Sequence, residues 1–574
     1  MLTQQPVREA GPSSELEVLE AIQKRVLWLS TQIVHHANSV RAEEGSKVGG
    51  HQASSASVVS LLTALYFHSF RLGDRVAIKP HASPVYHAIQ FLLGNLPGER
   101  LKQFRAFHGL QAYPSRTKDV DQVDFSTGSV GLGATAPLFA ALAQRFLQDH
   151  FSPSARARFI ALVGDAELDE GNVWEALAED SLRGLGQVLW IVDLNRQSLD
   201  RVIPSGRAQK IQELFRIHDW HVVELKYGRR LRQIFARPGG EKLRRRIDLM
   251  SNEEYQCLLR LPQAQLREML ARDDGGADRD LLKLLEPYPD EEMRLLLSDL
   301  GGHDLELILE AYAEADRVTD RPAVIVAYTV KGWGLPVAGD PLNHSKLLSV
   351  KQMEELQEQL GIRPGEEFSG FAPGSPEALH VEALRNRWRG KSPSAPDAAL
   401  APGDIPESLD GAHRGRLSTQ QALGNILTSL ARLPKVAERI VTTSPDVAVS
   451  TNLGGWINRM GVYCHEARTN FFRESGLPLM LNWDQAPGGQ HIELGISENN
   501  LFLLLGMLGL SRELSGQTLL PVGTIYDTFI GRGLDALTYA AYSESKFIFA
   551  GTPSGITLSP EGGAHQSIIT PSIG

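Results

Sequence analysis

Apolar residues recur along the first part of the chain in two spacings that predict different elements. Leu16 to about Glu44 has helical spacing and leads to the glycine pair Gly49-Gly50, after which a loop and a second helix begin. Later segments are short apolar runs with polar residues at their ends, and these are FIALVGDAELDE from Phe159, VLWIVDLN from Val188 and AVIVAYTVKGWG from Ala323 to Gly334. An amphipathic helix separates the first two runs, so we expect neighbouring parallel strands in an α/β fold.

Two other stretches divide the chain. A charged helical segment from about Tyr227 to Asp320 precedes the third apolar run, and the text between about Gly390 and Arg416 is rich in Pro, Ala, Gly and Ser, as interdomain connections are. We therefore predict one domain at 1–390, a linker at 391–416 and a second domain at 417–574. In the second domain RIVTTSPD, TLLPVG and SKFIFAGTPSG alternate with helices, including an apolar one after Glu498, which predicts a second α/β layer structure.

Composition excludes several classes of protein. The 574 residues exceed the size of one hydrophobic core, and 42% hydrophobic with 22% charged residues is typical of globular chains. A net charge of −10 without a basic patch argues against nucleic acid as a partner. The N-terminus lacks an apolar signal core, and the run Leu501–Leu510 is shorter than the ~20 residues of a membrane span. Cys257 and Cys464 are far apart and lack metal-ligand spacing, so we expect a reducing cytoplasm.

The segment Gly164–Gln197 is the strongest candidate for chemistry, because two predicted strands end there in polar residues. Adjacent parallel strands would bring Asp165 and Asn195 close together, and carboxylate, amide and backbone oxygens are the donors that Mg²⁺, Ca²⁺ or Mn²⁺ prefers. Gly164 permits a sharp exit from the strand, and the helix that follows would turn backbone N–H groups toward the oxygens of a diphosphate. For an isolated Gly-Asp pair, two unrelated strand ends with polar caps are the competing explanation.

These residues also resemble a known family. GDAELDE followed by DLNRQSLD is similar to the metal and diphosphate motif of thiamine diphosphate enzymes, specifically the homodimeric-type pyruvate dehydrogenase decarboxylating component, with transketolase as a more distant relative. The likeness runs from about Glu15 to Gly574 and includes VGGHQASSAS, HASPVYHAIQFLLGNL, QAYPS and TGSVGLG in the family's order.

The resemblance implies a thiamine diphosphate-binding α/β fold with two doubly wound parallel-sheet domains. The first, 1–390, would be the diphosphate-binding (transketolase N-terminal-like) domain with a helical insertion at about 227–320. The second, 417–574, would be a truncated pyrimidine-binding domain, with a third, C-terminal domain missing. Either the chain is then a fragment, or another polypeptide supplies the rest.

The resemblance also assigns residues to the cofactor. Asp165, the Asn195 side chain and the Gln197 carbonyl would hold the metal ion. Cofactor contacts would come from residues of both domains, namely Ser54, His81, Tyr113, Val130, Asp165, Ala166, Glu167, Asn195, Lys331, Glu498, Tyr526 and Phe529. Ala166 replaces the second glycine of the motif, and because alanine excludes positive φ and adds a methyl group, we expect weaker cofactor binding. Core packing is the competing explanation for Tyr526 and Phe529.

The implied catalytic residues are Glu498 and several histidines. Glu498 resembles the glutamate that hydrogen-bonds the aminopyrimidine ring, and a carboxyl at the start of an apolar helix is partly desolvated and can share a proton with the ring nitrogen. His51, His81 and His565 would polarise the substrate carbonyl and move protons. His344 matches a mobile-loop histidine that assists acyl transfer, although an exposed loop histidine without a function explains it equally well.

The implied reaction is oxidative decarboxylation of a 2-oxo acid, pyruvate first, with acyl transfer to the lipoyl domain of a dihydrolipoyl acyltransferase. Transketolase-like two-carbon transfer is an alternative, but Gln420 stands where transketolases have a phosphate-binding arginine, and the insertion resembles the pyruvate dehydrogenase version. A non-catalytic pseudoenzyme or assembly subunit is the remaining alternative. In the family each site lies between two subunits, so we expect a homodimer.

Overall fold

The computed structural model describes residues 14–41, 48–151, 157–198, 202, 206–273, 276–388, 400–409, 415–567 and 570–573. Most of the predicted linker at 391–416 lies outside these residues, as does the start of the first predicted domain. The domain boundaries therefore stay predictions.

Two parallel sheets form the framework. A five-stranded sheet has the order β1-β2-β3-β7-β4, a six-stranded sheet has the order β10-β9-β11-β8-β12-β13, and β5 and β6 form a short antiparallel pair. The strands are β1 (Arg75–Ala77), β2 (Phe159–Gly164), β3 (Val188–Leu194), β4 (His221–Leu225), β5 (Arg272–Asp273), β6 (Gly276–Ala277), β7 (Ala323–Tyr328), β8 (Ile440–Pro445), β9 (Val462–Tyr463), β10 (Gln485–Ala486), β11 (His491–Leu494), β12 (Leu520–Ile525) and β13 (Ile548–Gly551).

Helices cover both sheets and fill the segment before β7. They are α1 (Glu15–Ser39), α2 (Gln52–Ala56), α3 (Val59–Ala64), α4 (Ser83–Leu92), α5 (Gly98–Leu101), α6 (Leu132–His150), α7 (Gly171–Leu177), α8 (Arg207–Ile217), α9 (Arg229–Phe235), α10 (Gly240–Leu249), α11 (Asn252–Arg260), α12 (Gln263–Leu270), α13 (Arg279–Leu285), α14 (Asp290–Leu297), α15 (Leu305–Asp316), α16 (Val350–Gln359), α17 (Pro376–Trp388), α18 (Thr419–Leu430), α19 (Pro434–Ala437), α20 (Gly454–Met460), α21 (Phe471–Glu474), α22 (Glu498–Gly509), α23 (Ser511–Ser515) and α24 (Leu534–Tyr542). None of the helices in these described ranges combines the length and apolarity needed to cross a bilayer.

The predicted α/β architecture is confirmed. The three apolar runs of the first part become β2, β3 and β7, which pair in parallel with Gly164 opposite Asp193 and Leu194 opposite Tyr328. The third strand is shorter than predicted: it ends at Tyr328, because the chain then enters turns in which Gly332 and Gly334 have φ of 83° and 71°. The segment from Tyr227 to Asp320 is helical as expected, apart from the β5–β6 pair.

The first sheet is buried on both faces, as parallel sheets with crossover helices are. Along β2, Phe159, Ala161 and Val163 pack in the hydrophobic cluster that contains α6, whereas Ile160 and Leu162 pack in the cluster that contains α1. Helix α22 packs in the same hydrophobic cluster as α6, and this cluster also contains residues of the second sheet. The carboxyl ends of β2 and β3 and the start of α22 are thus fixed on one continuous core.

Candidate functional site

The carboxyl ends of β2 and β3 meet through a direct hydrogen bond. The Arg196 N–H donates to Oδ2 of Asp165 over 2.8 Å, and the Gln197 N–H donates to Oδ1 of Asn195 over 3.0 Å. Asp165, Asn195 and Gln197 are all buried. Burial and the neighbouring Asp193 raise the pKa of the Asp165 carboxyl to about 7. The structure therefore places the three residues predicted to bind metal next to one another at the ends of β2 and β3.

Asp193 lies at the centre of a buried polar network that no sequence pattern indicated. Lys79 Nζ lies 2.5 Å from its carboxylate, and the Asn195 side chain and the Ser57 hydroxyl each donate to it over 2.8 Å. The Thr329 hydroxyl donates to its other oxygen. Burial opposes the charge, but Lys79 and these donors hold the pKa of Asp193 below its ordinary value. The network fixes the Asn195 amide so that its oxygen faces the Gln197 amide.

Three of the predicted catalytic histidines share one space. Ring centroids of His51 and His81 are 4.0 Å apart, those of His51 and His344 are 4.4 Å apart, and those of His81 and His344 are 4.8 Å apart. Burial lowers the pKa of His51, and burial with the surrounding histidines and lysines lowers the pKa of His81 to about 2 and that of His344 to about 3. All three imidazoles are therefore neutral at physiological pH.

Lys331 connects the three histidines to the end of β3, where the predicted metal-binding residues lie. Its Nζ donates to the Ser198 carbonyl over 2.9 Å and lies 3.4 Å from Nδ1 of His344. Asn343, next to His344, donates to the Gln197 side chain over 3.1 Å. The segment that carries His344 is thus held against the end of β3, and nothing in the sequence indicated Asn343.

Three further residues predicted to contact the cofactor, Tyr113, Ser54 and Val130, differ in their burial and contacts. The Tyr113 ring lies 5.7 Å from that of His81. Ser54 is buried in α2, which begins directly after His51. Val130 is exposed, and its carbonyl accepts a hydrogen bond from Asn172 over 3.4 Å.

The motif residues after Asp165 form a short 3₁₀ helix, Asp165–Asp169. Ala166 therefore has right-handed helical geometry, which alanine adopts without strain, and the loss of positive φ expected at this position has no cost here. Glu167 is engaged by the backbone: Oε1 accepts the Gly164 N–H over 2.9 Å, and Oε2 accepts the Gly131 N–H over 3.3 Å. Its carboxylate thus connects the end of β2 to the loop that ends at Gly131 directly before α6, which we call the glycine loop.

A second group of predicted residues surrounds the start of α22. Glu498 is buried, and its Oε1 accepts a hydrogen bond from Arg532 over 2.9 Å. The Arg532 guanidinium lies 4.1 Å from the centre of the Phe529 ring, which lies 5.4 Å from that of His565 and 6.3 Å from that of Tyr526. Arg532 was not expected, and the sequence signal for it is only its place three residues after Phe529.

The start of α22 is bound to α7 and to the turn directly after α7. Glu175 accepts the Asn500 N–H over 3.0 Å, and Glu179 accepts the Ser497 hydroxyl over 3.1 Å. Both acids come shortly after the Asp165 motif, in α7 or just behind it. The residues around Asp165 and the residues around Glu498 are therefore positioned by neighbouring elements.

Comparison with known proteins agrees with this geometry. A family model described as the transketolase thiamine diphosphate binding domain matches residues 66–238 and 292–373, and one described as the pyruvate dehydrogenase E1 component middle domain matches residues 404–570. The pyruvate dehydrogenase E1 component of Pseudomonas aeruginosa is 28% identical over 589 aligned residues, which cover 97% of this chain. That of Escherichia coli K12 is 24% identical over 580 residues, covering 96% of this chain. The chain is thus similar to pyruvate dehydrogenase E1 components over most of its length.

This chain spans 65% of the length of the Pseudomonas protein and 64% of that of the Escherichia protein. Its fold is also that of transketolases. The solved structure from Campylobacter jejuni has a TM-score of 0.65 at 19% identity, covering 97% of this chain and 73% of that one. The one from Leishmania mexicana has a TM-score of 0.65 at 18% identity, covering 98% and 72%.

Proposed function

We propose that this chain binds thiamine diphosphate through Mg²⁺ and uses it to decarboxylate a 2-oxo acid, pyruvate first. The observation that carries the proposal is the oxygen-donor group at the ends of β2 and β3, tied by Lys331 and Asn343 to three neutral histidines. Sequence similarity to pyruvate dehydrogenase E1 components over most of the chain supports the choice of a 2-oxo acid.

The residues present suit the metal and the cofactor. The Asp165 carboxylate, the Asn195 amide oxygen and the Gln197 carbonyl are hard oxygen donors, which Mg²⁺ prefers. A cation there would stabilise Asp165 as a carboxylate, which burial otherwise disfavours. Glu167 joins the 3₁₀ helix to the glycine loop before α6 by binding the N–H groups of Gly164 and Gly131. Other backbone N–H groups of these two segments would face the diphosphate.

The remaining residues would bind and orient the reactants. Thiamine diphosphate supplies a carbon nucleophile and an electron sink for decarboxylation when it is bound. His81 and His344 would donate hydrogen bonds to the keto oxygen and carboxylate of the substrate, His51 would accept a proton at Nε2, and Lys331 would balance the substrate charge. Glu498 would hold a proton at the pyrimidine nitrogen through Oε2, because the hydrogen bond from Arg532 goes to Oε1.

Cofactor binding is the first test. Titration with thiamine diphosphate and Mg²⁺, followed by calorimetry or circular dichroism, should give a saturable signal that Asp165→Ala removes. Asp169→Ala is the matched control, because Asp169 lies in the same 3₁₀ helix but is exposed and pairs with Arg207. No saturable signal in the unmodified chain would favour a non-catalytic pseudoenzyme or assembly subunit.

The reaction is tested with the loaded protein. We expect release of carbon dioxide from pyruvate; no release together with turnover of xylulose phosphate would replace the proposal by transketolase-like transfer. We further propose transfer of the acyl group to the lipoyl domain of a dihydrolipoyl acyltransferase. In that case His344→Gln should slow acylation of a free lipoyl domain more than it slows carbon dioxide release.

The proposed site would be completed in a homodimer, in which α22 of one subunit faces the histidines of the other. Sedimentation of the loaded protein should then show a dimer, and mixing the Asp165→Ala and Glu498→Ala variants should restore part of the activity. No recovery on mixing would mean that each chain builds its own site.

A further inference from the structure

The rings of His51, His81 and His344 form a cluster with the composition of a metal site. One nitrogen of each ring lies within 4.8 Å of the others, and all three side chains are only partly buried, so an ion from solvent can reach them. This cluster contains imidazole nitrogens only, whereas the proposed Mg²⁺ site at Asp165 contains oxygen donors.

Hydrogen bonding fixes the ring of His51 in a form that can bind a metal. Its Nδ1 lies 2.9 Å from the carbonyl oxygen of His344, which can only accept, so Nδ1 carries the hydrogen and Nε2 has the free lone pair. An imidazole that donates from one nitrogen to a backbone carbonyl while the other nitrogen binds metal is the usual arrangement of histidine ligands.

The other two rings retain free nitrogens. In the part of the chain that the structure describes, neither ring nitrogen of His81 has a hydrogen-bond partner. His344 Nδ1 has only a long contact of 3.4 Å with Lys331, whose ammonium is held more closely by the Ser198 carbonyl at 2.9 Å. Lys331 lowers the affinity for any cation here, but its hydrogen bond to Ser198 keeps its charge directed toward the end of β3.

We propose that His51, His81 and His344 form a second metal site that takes Zn²⁺ or another divalent ion with a preference for imidazole, such as Co²⁺. Zn–N bonds of about 2.0–2.1 Å place tetrahedral ligand atoms roughly 3.4 Å apart. Side-chain rotations that move each ring nitrogen by about 1 Å therefore complete the site. A water molecule takes the fourth position. Imidazole favours Zn²⁺ and Co²⁺ and carboxylate favours Mg²⁺, so the two sites select different ions.

Occupancy of this site has a consequence that rests on the proposed function. A bound ion uses the ring nitrogens that would otherwise contact the substrate, so Zn²⁺ inhibits turnover and a chelator restores it. Metal binding itself is independent of the cofactor, and it is measured on the full chain without thiamine diphosphate. Failure of the metal site and failure of the proposed function are therefore separate results.

The experiment is a titration of the chain with Co²⁺, followed by its visible absorption, with displacement by Zn²⁺ followed by calorimetry. We expect one equivalent of Co²⁺ with the intense bands of four-coordination and no change on adding excess Mg²⁺. Each of His51→Gln, His81→Gln and His344→Gln should weaken binding by more than the about 10–100-fold that loss of an outer hydrogen-bond partner costs. Far-UV circular dichroism checks that each variant is folded.

Two controls make the result specific. His68→Gln removes an exposed histidine that does not belong to the cluster and should leave the titration unchanged. Asp165→Asn should likewise retain Co²⁺ binding. Displacement of Co²⁺ by Mg²⁺, loss of binding in Asp165→Asn, or binding that persists in all three cluster variants would each overturn the proposal.

Discussion

Lys79 and Asp193 form an ion pair that is buried at both ends: Nζ lies 2.5 Å from Oδ2, and the two side chains are 6% and 0% exposed. The residues are separated by 114 positions in the sequence and join the segment before α4 to the end of β3. Because burial of each charge costs several kcal/mol, removing one partner is far more destabilising than the pair itself is stabilising.

Lys79→Met should therefore lower the free energy of unfolding by about 3–5 kcal/mol, because it leaves the Asp193 carboxylate buried without a counter-charge. Urea unfolding measures the change. The double variant Lys79→Met/Asp193→Asn should lose less than the sum of the single variants, since no unpaired charge remains. Lys102→Met, in an exposed pair with Glu99, should change stability by less than about 1 kcal/mol. Equal losses in Lys79→Met and Lys102→Met would contradict this account.

Ala166→Gly should tighten thiamine diphosphate binding if the proposed function is right. The 3₁₀ geometry of this position causes no strain in alanine, so its methyl group is the remaining obstacle to a close approach by the diphosphate. The same change should cost roughly 0.5–1 kcal/mol of stability, because glycine loses more conformational freedom on folding. Calorimetric titration gives the affinity and thermal unfolding gives the stability.

Ala178→Gly is the control for this variant, because Ala178 is an exposed residue at the end of α7. We expect it to lose stability without a change in cofactor affinity. An affinity of Ala166→Gly that equals that of the unmodified chain would show that the methyl group does not face the diphosphate.

The parts of the fold that could be predicted from the sequence are those with a strong local pattern. Strands β2 and β3 are almost entirely apolar runs, and α22 is apolar after its first turn, from Leu501 on. Burial on every side therefore leaves a signal in consecutive residues. Strand β1 has only three residues and the strands β9 and β10 only two each, so no periodicity marks them. They exist because neighbouring strands already present hydrogen-bonding edges.

The same distinction holds for the candidate site. Asp165 and Asn195 stand at strand ends, where a pattern locates them. The role of Asp193 depends on Lys79 and on Thr329, which is 136 positions away, and that of Glu498 depends on Arg532. Such partners come together only through the long-range packing of the sheets. A sequence pattern locates the polar residues at the end of a strand, but it does not identify the oppositely charged residue that pairs with one of them in the core.

The stabilising effect of His87 should depend on pH. His87 is fully buried, with Nδ1 2.9 Å from Asp121 and Nε2 3.9 Å from Asp119. Burial opposes its charge, but the two aspartates outweigh burial and raise its pKa. A raised histidine pKa gives stability that is complete below the unfolded value of about 6.5 and is lost as pH rises through the folded value. His87→Gln should therefore cost more stability at pH about 5.5 than at pH about 8.5.

Urea unfolding at several pH values measures this difference. His68→Gln, at an exposed position, is the control and should cost little stability. A gap between His87→Gln and the unmodified chain that stays constant from acid to alkaline pH would mean that His87 acts through packing alone.

His303 should stabilise the turn before Lys331 through one hydrogen bond. Burial lowers the pKa of His303 to about 3, so its ring is neutral and Nε2 accepts the Val330 N–H over 2.8 Å. The ring also stacks on Trp333 at 4.7 Å. His303→Phe keeps an aromatic ring for stacking but leaves the buried Val330 amide without an acceptor, which should cost about 1–3 kcal/mol in urea unfolding.

His303→Gln is the matched rescue, since its side-chain oxygen can accept the same N–H while it lacks an aromatic ring. We expect it to lose less stability than His303→Phe. Because the folded pKa of His303 lies well below the unfolded value of about 6.5, protonation of the unfolded chain offsets part of the stability that His303 gives in acid. Each variant should therefore lose less stability relative to the unmodified chain at pH about 5 than at pH about 8. If His303→Phe is as stable as the unmodified chain, stacking on Trp333 rather than the hydrogen bond to Val330 holds the turn. A loss in both variants that is instead larger at pH about 5 than at pH about 8 would show that His303 is charged in the folded protein.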